Sequence, residues 1–226
     1  MDKRTIIYTV LEKLKIHSGD SKITPELISS MIDTKRAMLL KSRFSRNAWN
    51  IPIEIKQEIC LDIERVDTID GFSLAGKTIR TSSSIPKSIK IRGKDGPLLV
   101  RREDGTVIPI NIIPIERLPY VGNNRWTAML TYACIDYDGR LILTSTNDKL
   151  KFLQSIKVTE IFEMPEDVYE LECRDNNDYG DIEPWDMEYP VELSMIDEII
   201  EMIAKDLFNT IRLPEDKTND SLDERG

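Results

Sequence analysis

Apolar positions change their period twice along this chain. In the first sixteen residues Ile7, Val10, Leu11 and Leu14 recur at spacings of three and four, the mark of one buried helical face. After a polar turn at 17–21, Leu27, Ile28, Met31, Ile32, Met38 and Leu39 repeat that pattern to Phe44. Thr24 is placed to cap this second helix and Pro25 to open it. From Glu58 the period drops to two: Ile59, Leu61 and Ile63 alternate with Glu58, Cys60, Asp62 and Glu64, as in a half-buried strand. The helical period then returns with Ile196, Ile199, Ile200, Ile203, Leu207 and Ile211. That stripe predicts a final helix over 190–213, with Pro190 in its first turn and Pro214 ending it.

Between the helices the chain reads as β. Further strands are expected at 77–81, 88–92, 97–102, 107–113, 125–135, 140–145 and 155–162. Asp95-Gly96, Asp104-Gly105 and Asp138-Gly139 are hairpin signals. Pro86, Pro97, Pro109 and Pro114 fit edges or bends, because proline cannot donate to a central ladder. A short helix is expected at 166–172 after Pro165. The fold class that follows is α+β: terminal helices form a small helical bundle around an inserted antiparallel β domain, sandwich or barrel-like. The expected divisions are a helical hairpin at 1–50, the β domain at 51–165, an acidic loop and bundle-completing helix at 166–213, and a polar flexible tail at 214–226.

Composition narrows the class. The chain has 226 residues, 40% hydrophobic and 31% charged, as in ordinary folded proteins. No run reaches the roughly 20 apolar residues that cross a bilayer. The opening Met-Asp-Lys-Arg-Thr turns directly into amphipathic helix, unlike a signal peptide. Cys60, Cys134 and Cys173 are widely separated and form neither a disulfide framework nor a zinc pattern, so reduced thiols are expected. The overall charge of −9 hides an asymmetry. Residues 1–159 carry 26 Lys and Arg against 18 Asp and Glu, whereas 160–226 carry 5 against 22. Such polarity suits an acidic part that avoids nucleic acid, or oppositely charged faces that meet between copies of the chain. It also suits an acidic tail that only keeps the protein dissolved.

The candidate chemistry is thin. Gly71-Phe-Ser-Leu-Ala-Gly76-Lys77-Thr78 satisfies the phosphate-loop pattern, but that loop needs a helix opening after its lysine. Here serines, threonines and Pro86 follow, and no alternation of strands and helices surrounds the motif, so a turn leading into a strand is expected. Asp175, Asn177 and Gly180 resemble the start of a calcium loop. Tyr179 occupies a ligand position and Asp186 stands at the twelfth, so a surface loop is expected. The single histidine, His17, has no marked nucleophile as partner. No catalytic residue, metal ligand or cofactor is assigned. Trp49, Trp126 and Trp185 read as core or interface anchors. One basic run remains: Lys35, Arg36, Lys41, Arg43 and Arg46, with no acid between Asp33 and Glu54. Either it contacts DNA phosphates or an acidic partner, or its cations complement the helix C-terminus and face water.

Three stretches carry a resemblance. The first is Ile115-Glu-Arg-Leu-Pro-Tyr-Val-Gly-Asn-Asn-Arg-Trp126; the second runs from Lys149 through Phe152, Ile161 and Phe162 to Asp167. The third combines Pro184-Trp-Asp-Met-Glu-Tyr-Pro190, the final helix and the stretch from Leu213 to Asp220. Together they resemble the ring or head-to-tail adaptor proteins beneath the portal of crAss-like tailed bacteriophages, and the opening looks like the helical start of podoviral adaptors. The resemblance implies a virion structural protein, made in the host cytoplasm, that closes as a twelvefold ring in the portal–tail neck. It implies the portal, other neck or tail proteins and passing DNA as partners, with no membrane, no cofactor and no enzymatic role. The alternatives are a nucleic-acid-binding module using 35–46 and an NTPase using the phosphate-like loop.

Overall fold

The computed structural model describes residues 1–14, 23–45, 51–66, 68–69, 72–73, 77–90, 99–122, 124–146, 150, 152–169, 171, 173 and 183–212. Expectations placed on His17, Arg46, Trp49, Asp95-Gly96, the calcium-like loop and the tail after 212 lie outside them. The chain forms two compact units, one from Met1–Leu39 with Trp185–Gly226, the other from Leu40–Pro184.

The first unit holds α1 (Lys3–Leu14), most of α2 (Pro25–Phe44) and α3 (Leu193–Arg212). The apolar stripes meet as their spacing requires. α1 buries Ile6, Ile7, Val10 and Leu14, and packs on α3. α2 contributes Ile28, Ile32 and Leu39 to this unit, and α3 contributes Met195, Ile196, Ile199, Ile200, Ile203 and Leu207. Each such side chain gains about 1.5–3 kcal/mol over exposure. Capping fixes two helix starts. The Thr5 amide donates to Asp2 Oδ2 at 3.3 Å, and the Leu27 amide donates to Thr24 Oγ1 at 3.3 Å. The Thr5 hydroxyl hydrogen bond holds the Asp2 carboxyl below its ordinary range. α3 begins at Leu193, so Pro190 is not in its first turn. The stretch before it is engaged elsewhere: the Tyr189 amide donates to the Met1 carbonyl at 3.0 Å, and the Pro190 carbonyl accepts from Arg36 Nε at 2.8 Å.

The second unit is built on β1 (Gln57–Arg65), β4 (Lys77–Thr81), β5 (Leu99–Arg102), β6 (Val107–Ile108), β7 (Ile110–Ile112), β8 (Thr131–Ile135), β9 (Leu141–Ser145) and β10 (Ser155–Glu160). A two-stranded hairpin of β2 (Thr68–Ile69) and β3 (Phe72–Ser73) stands apart from them. The eight strands hydrogen-bond in the order β6-β5-β10-β1-β4-β9-β8-β7. The first and last of that order, β6 and β7, are separated in sequence only by Pro109. The sheet must therefore curl until its ends meet, giving a nearly closed barrel. Pro109 divides the strand expected at 107–113 into two halves that pair on opposite sides, β6 with β5 and β7 with β8. β1 makes the matching corner: residues 57–62 pair with β10, and 63–65 with β4. The sheet is mixed rather than wholly antiparallel, because β7 runs parallel to β8.

Turn chemistry sets the hairpins. Gly105 and Gly139 adopt φ of 82° and 75°, which only glycine reaches without strain, in the Asp-Gly turns predicted for them. Inward positions of the barrel form one apolar cluster that includes Ile59, Leu61, Val100, Leu143, Ile156, Val158 and Phe162. On the outer face of β8 and β9, Leu118 covers Cys134 and Ile142, with Ile113, Ile115 and Val121 around them. β9 is consequently buried at all five positions. Other boundaries moved. The strand expected at 125–135 begins at Thr131, because the Asn124 carbonyl and side chain gather the amides of Trp126, Thr127 and Ala128 into a turn. The helix expected at 166–172 is a 3-10 turn, Pro165–Val168. Of 88–92, Ser88 makes a single bridge to Phe162.

The cysteine expectation needs correction. Cys60 and Cys173, 113 residues apart, form a disulfide. β1 brings this about: the Cys60 amide donates to the Leu171 carbonyl at 2.8 Å, which lays the chain after the 3-10 turn along the strand. Cys134 is the free cysteine, and burial pushes its thiol up to about 12, with Asp136 and Glu116 adding repulsion.

Candidate functional site

The basic run of α2 is divided by the fold. Lys35 pairs with Asp206 of α3, within the helical unit. Arg36 is wholly buried, so this member of the run meets nothing outside the chain. Lys41 lies at the far end of the helix and pairs with Glu163 at 3.4 Å, while Lys87 reaches the other oxygen at 2.7 Å. Burial opposes the Glu163 carboxylate, but the bonds and charge of Lys87 and Lys41 outweigh it and hold its pKa below the usual range. Arg43 is exposed on the last turn.

Arg36 belongs to a buried polar cluster. Lys3 Nζ donates to Asp33 Oδ2 at 2.8 Å, and the Tyr189 hydroxyl donates to Asp33 Oδ1 at 2.7 Å. Lys3 Nζ and the Arg36 guanidinium lie 5.7 and 5.6 Å from the Tyr189 ring centre. Burial pulls the Arg36 pKa down, while Tyr189 and Asp33 support its charge. The hydrogen bonds join α1, α2 and the segment before α3. Lys3, Asp33 and Arg36 are all below 6% exposed, and the bonds link separate elements, so the cluster reads as a joint between helices. Periodicity showed Lys3 and Asp33 only as ordinary charged positions. An interrupted apolar stripe was the one available signal.

The phosphate-like motif has its lysine in β4. Lys77–Thr81 is a strand paired with β9, and the Thr78 hydroxyl meets that of Thr144 at 3.0 Å in the interior. A phosphate loop needs a helix N-terminus at that point. Among the described residues no group of three or more His, Cys, Asp and Glu is arranged to hold a metal ion. No helix there is long and apolar enough to cross a membrane.

What the molecule does present is surface. Trp126 is 84% exposed, Tyr120 79%, Met129 74% and Leu130 42%, all within the segment joining β7 to β8. The segment is held in shape: Ser145 Oγ donates to the Leu130 carbonyl at 3.1 Å, and Thr146 Oγ1 to that of Ala128. Arg117 and Arg125 are exposed on the same segment, and no acid occurs in the sequence between Glu116 and Asp136. Tyrosine, tryptophan, methionine and arginine are the residues that protein interfaces enrich. α3 shows the opposite character. Its outward positions include Asp197, Glu198 and Glu201, with exposed Leu193 and Phe208 towards its ends.

Similarity agrees with a surface-dominated protein. Residues 5–225 match the family described as phage tail ring protein 2. Ring protein 2 of Bacteroides phage crAss001 is 30% identical over 226 residues, covering 99% of this chain and 98% of that protein. A match along essentially the whole length, through both the helical and the β units, places the chain in the phage tail ring protein 2 family.

Proposed function

We propose that the chain is a structural component of the phage virion that closes, copy against copy, into a ring of the portal–tail neck. The observation that carries this is the match to a tail ring family along residues 5–225. The ring extends the DNA channel below the portal and offers a rim on which tail components dock. Its mechanism is geometric. A chain with distinct, complementary faces makes a heterologous contact, and such contacts close when the rotation between neighbours divides a full turn. Twelve copies would match the portal axis. Those acids from 160 onward that line the channel would let DNA pass without adhering.

The test is the mass of the purified 26.1 kDa chain by light scattering across a concentration range, alone and mixed with portal protein. A large closed oligomer, seen as a ring by electron microscopy, is expected in at least one condition. A chain that remains a monomer in both overturns the proposal. Images that put residues 160–212 on the outside of the ring would remove the channel-lining role.

A further inference from the structure

Two surfaces of this chain are complementary. The segment between β7 and β8 presents Tyr120, Trp126, Met129 and Leu130 to solvent, flanked by Arg117 and Arg125. The outward stripe of α3 presents Asp197, Glu198, Glu201 and Lys205, acidic on balance, with Leu193 72% exposed near one end and Phe208 42% near the other. Residues 193, 197, 201 and 208 follow helical spacing, so they line one side of the helix. We infer that the 120–130 segment of one copy docks on the outward stripe of α3 in the next copy. This inference rests on the ring proposed above and names its contact.

Three observations carry it. The first is exposure. Large aromatic and thioether side chains stand 74–84% exposed within eleven residues of one segment, and exposed apolar side chains concentrated in this way mark an interaction site. The second is preorganisation. The Trp126 amide donates to Asn124 Oδ1 at 3.2 Å, and the bonds from Ser145 and Thr146 pin the far end, so little ordering is required on docking. The third is charge. A cationic aromatic loop and an acidic stripe with apolar ends lie on one chain, and a closed ring requires two unlike, matching faces on every copy. Trp126 sits over the stripe, and Arg117 and Arg125 meet its carboxylates. The sheet edges do not serve this purpose. β6 and β7 are the ends of a nearly closed barrel, and they are held one residue apart by the chain itself.

The test uses two surface variants of the full chain, Trp126→Asp and the pair Asp197→Arg with Glu201→Arg. Light scattering is run under whichever condition assembles the wild type, and far-ultraviolet circular dichroism confirms that each variant keeps its fold. Each variant alone is expected to stay monomeric at more than ten times the concentration that assembles the wild type. An equimolar mixture is expected to form one-to-one dimers and stop there, because each partner keeps one intact face. Assembly of Trp126→Asp at the wild-type mass would overturn the contact and leave the ring standing. So would a mixture that stays monomeric, or capture of Trp126 by portal protein in place of a second copy. A wild-type chain that assembles in neither condition removes the ring and this contact together.

Discussion

The helical unit buries a cluster of paired charges, Lys3, Asp33 and Arg36, whereas the β unit is built on a large apolar cluster and buries Thr78, Thr81, Thr144, Ser145 and Glu160 as well. The difference follows from how each unit is specified. A barrel has a register: Ile59 faces Val158 and Leu61 faces Ile156, and a slip of one residue would turn every inward side chain outward. Hydrogen bonds and pleat therefore set the register of the β unit. Three amphipathic helices have no such ladder between them. Their isoleucine-rich stripes allow more than one rotation at similar apolar burial. Only one arrangement delivers Lys3 and Tyr189 to the same carboxylate of Asp33 and Arg36 to the Pro190 carbonyl. Burying such charges is costly, and its attested use is to select one packing over its rivals.

The largest effect should come from breaking that selection. Asp33→Ala leaves the Lys3 ammonium buried beside Arg36 without its acid and removes the acceptor of the Tyr189 hydroxyl. A loss of about 3–5 kcal/mol is expected in urea unfolding followed by circular dichroism. Lys3→Met combined with Asp33→Leu should cost less than half as much, because it removes both charges together. A double variant as damaging as the single would show that the cluster acts by filling space. The β unit should answer to volume instead. Ile156→Ala is expected to cost about 3 kcal/mol through the cavity it leaves, and Ile156→Leu under about 1.5. If Ile156→Leu proved as harmful as Ile156→Ala, the contrast between the units would fail.

This contrast also explains what the chain reveals unaided. α2 was legible to the residue, Pro25–Phe44, because its start is local: a threonine cap, a proline and an apolar repeat. The strands with an Asp-Gly turn beside them were legible for the same reason. α3 was anticipated three residues early because Tyr189 and Pro190 are held by Met1, Asp33 and Arg36, all distant in sequence. Arg36 looked like a surface cation because periodicity cannot distinguish a charged position with a buried mate from one facing water. Trp126 reads as a core or interface anchor, and its exposure removes the core alternative, yet the turn that presents it was hidden inside an expected strand. Asn124, which caps that turn, was the signal.

The disulfide was illegible on spacing alone, since 113 residues separate its cysteines. It gives a further, smaller prediction. Cys60→Ser with Cys173→Ser should lower stability by about 2 kcal/mol, because β1 and the Leu171 segment keep their backbone bond when the crosslink is gone. Thiol titration gives an independent count. The unreduced, unfolded chain should expose one reactive thiol, Cys134, and reduction should raise that to the full three. In the folded chain near pH 8 Cys134 should hardly react, because burial pushes its thiol up to about 12 and the thiolate is the nucleophile. Three reactive thiols before reduction would contradict the crosslink.

The smallest effect tests the same contrast at the surface. Glu163 joins Lys41, in the last turn of α2, to Lys87. Its carboxyl is held below the usual range in the folded chain, so its contribution is present above the unfolded carboxylate pKa near 4.3 and is lost as pH falls through the lowered folded value. Lys87 is 77% exposed, and screening keeps the contribution under about 1 kcal/mol. Glu163→Gln should therefore lower the urea midpoint slightly at pH 7, and that difference should shrink as pH falls through the lowered folded value. One molar salt should erase the pH 7 difference, because ions screen an exposed pair, and should leave the Asp33→Ala difference nearly intact. If salt erased both, the helical cluster would be open to water, and its role in choosing among helix rotations would fall with it.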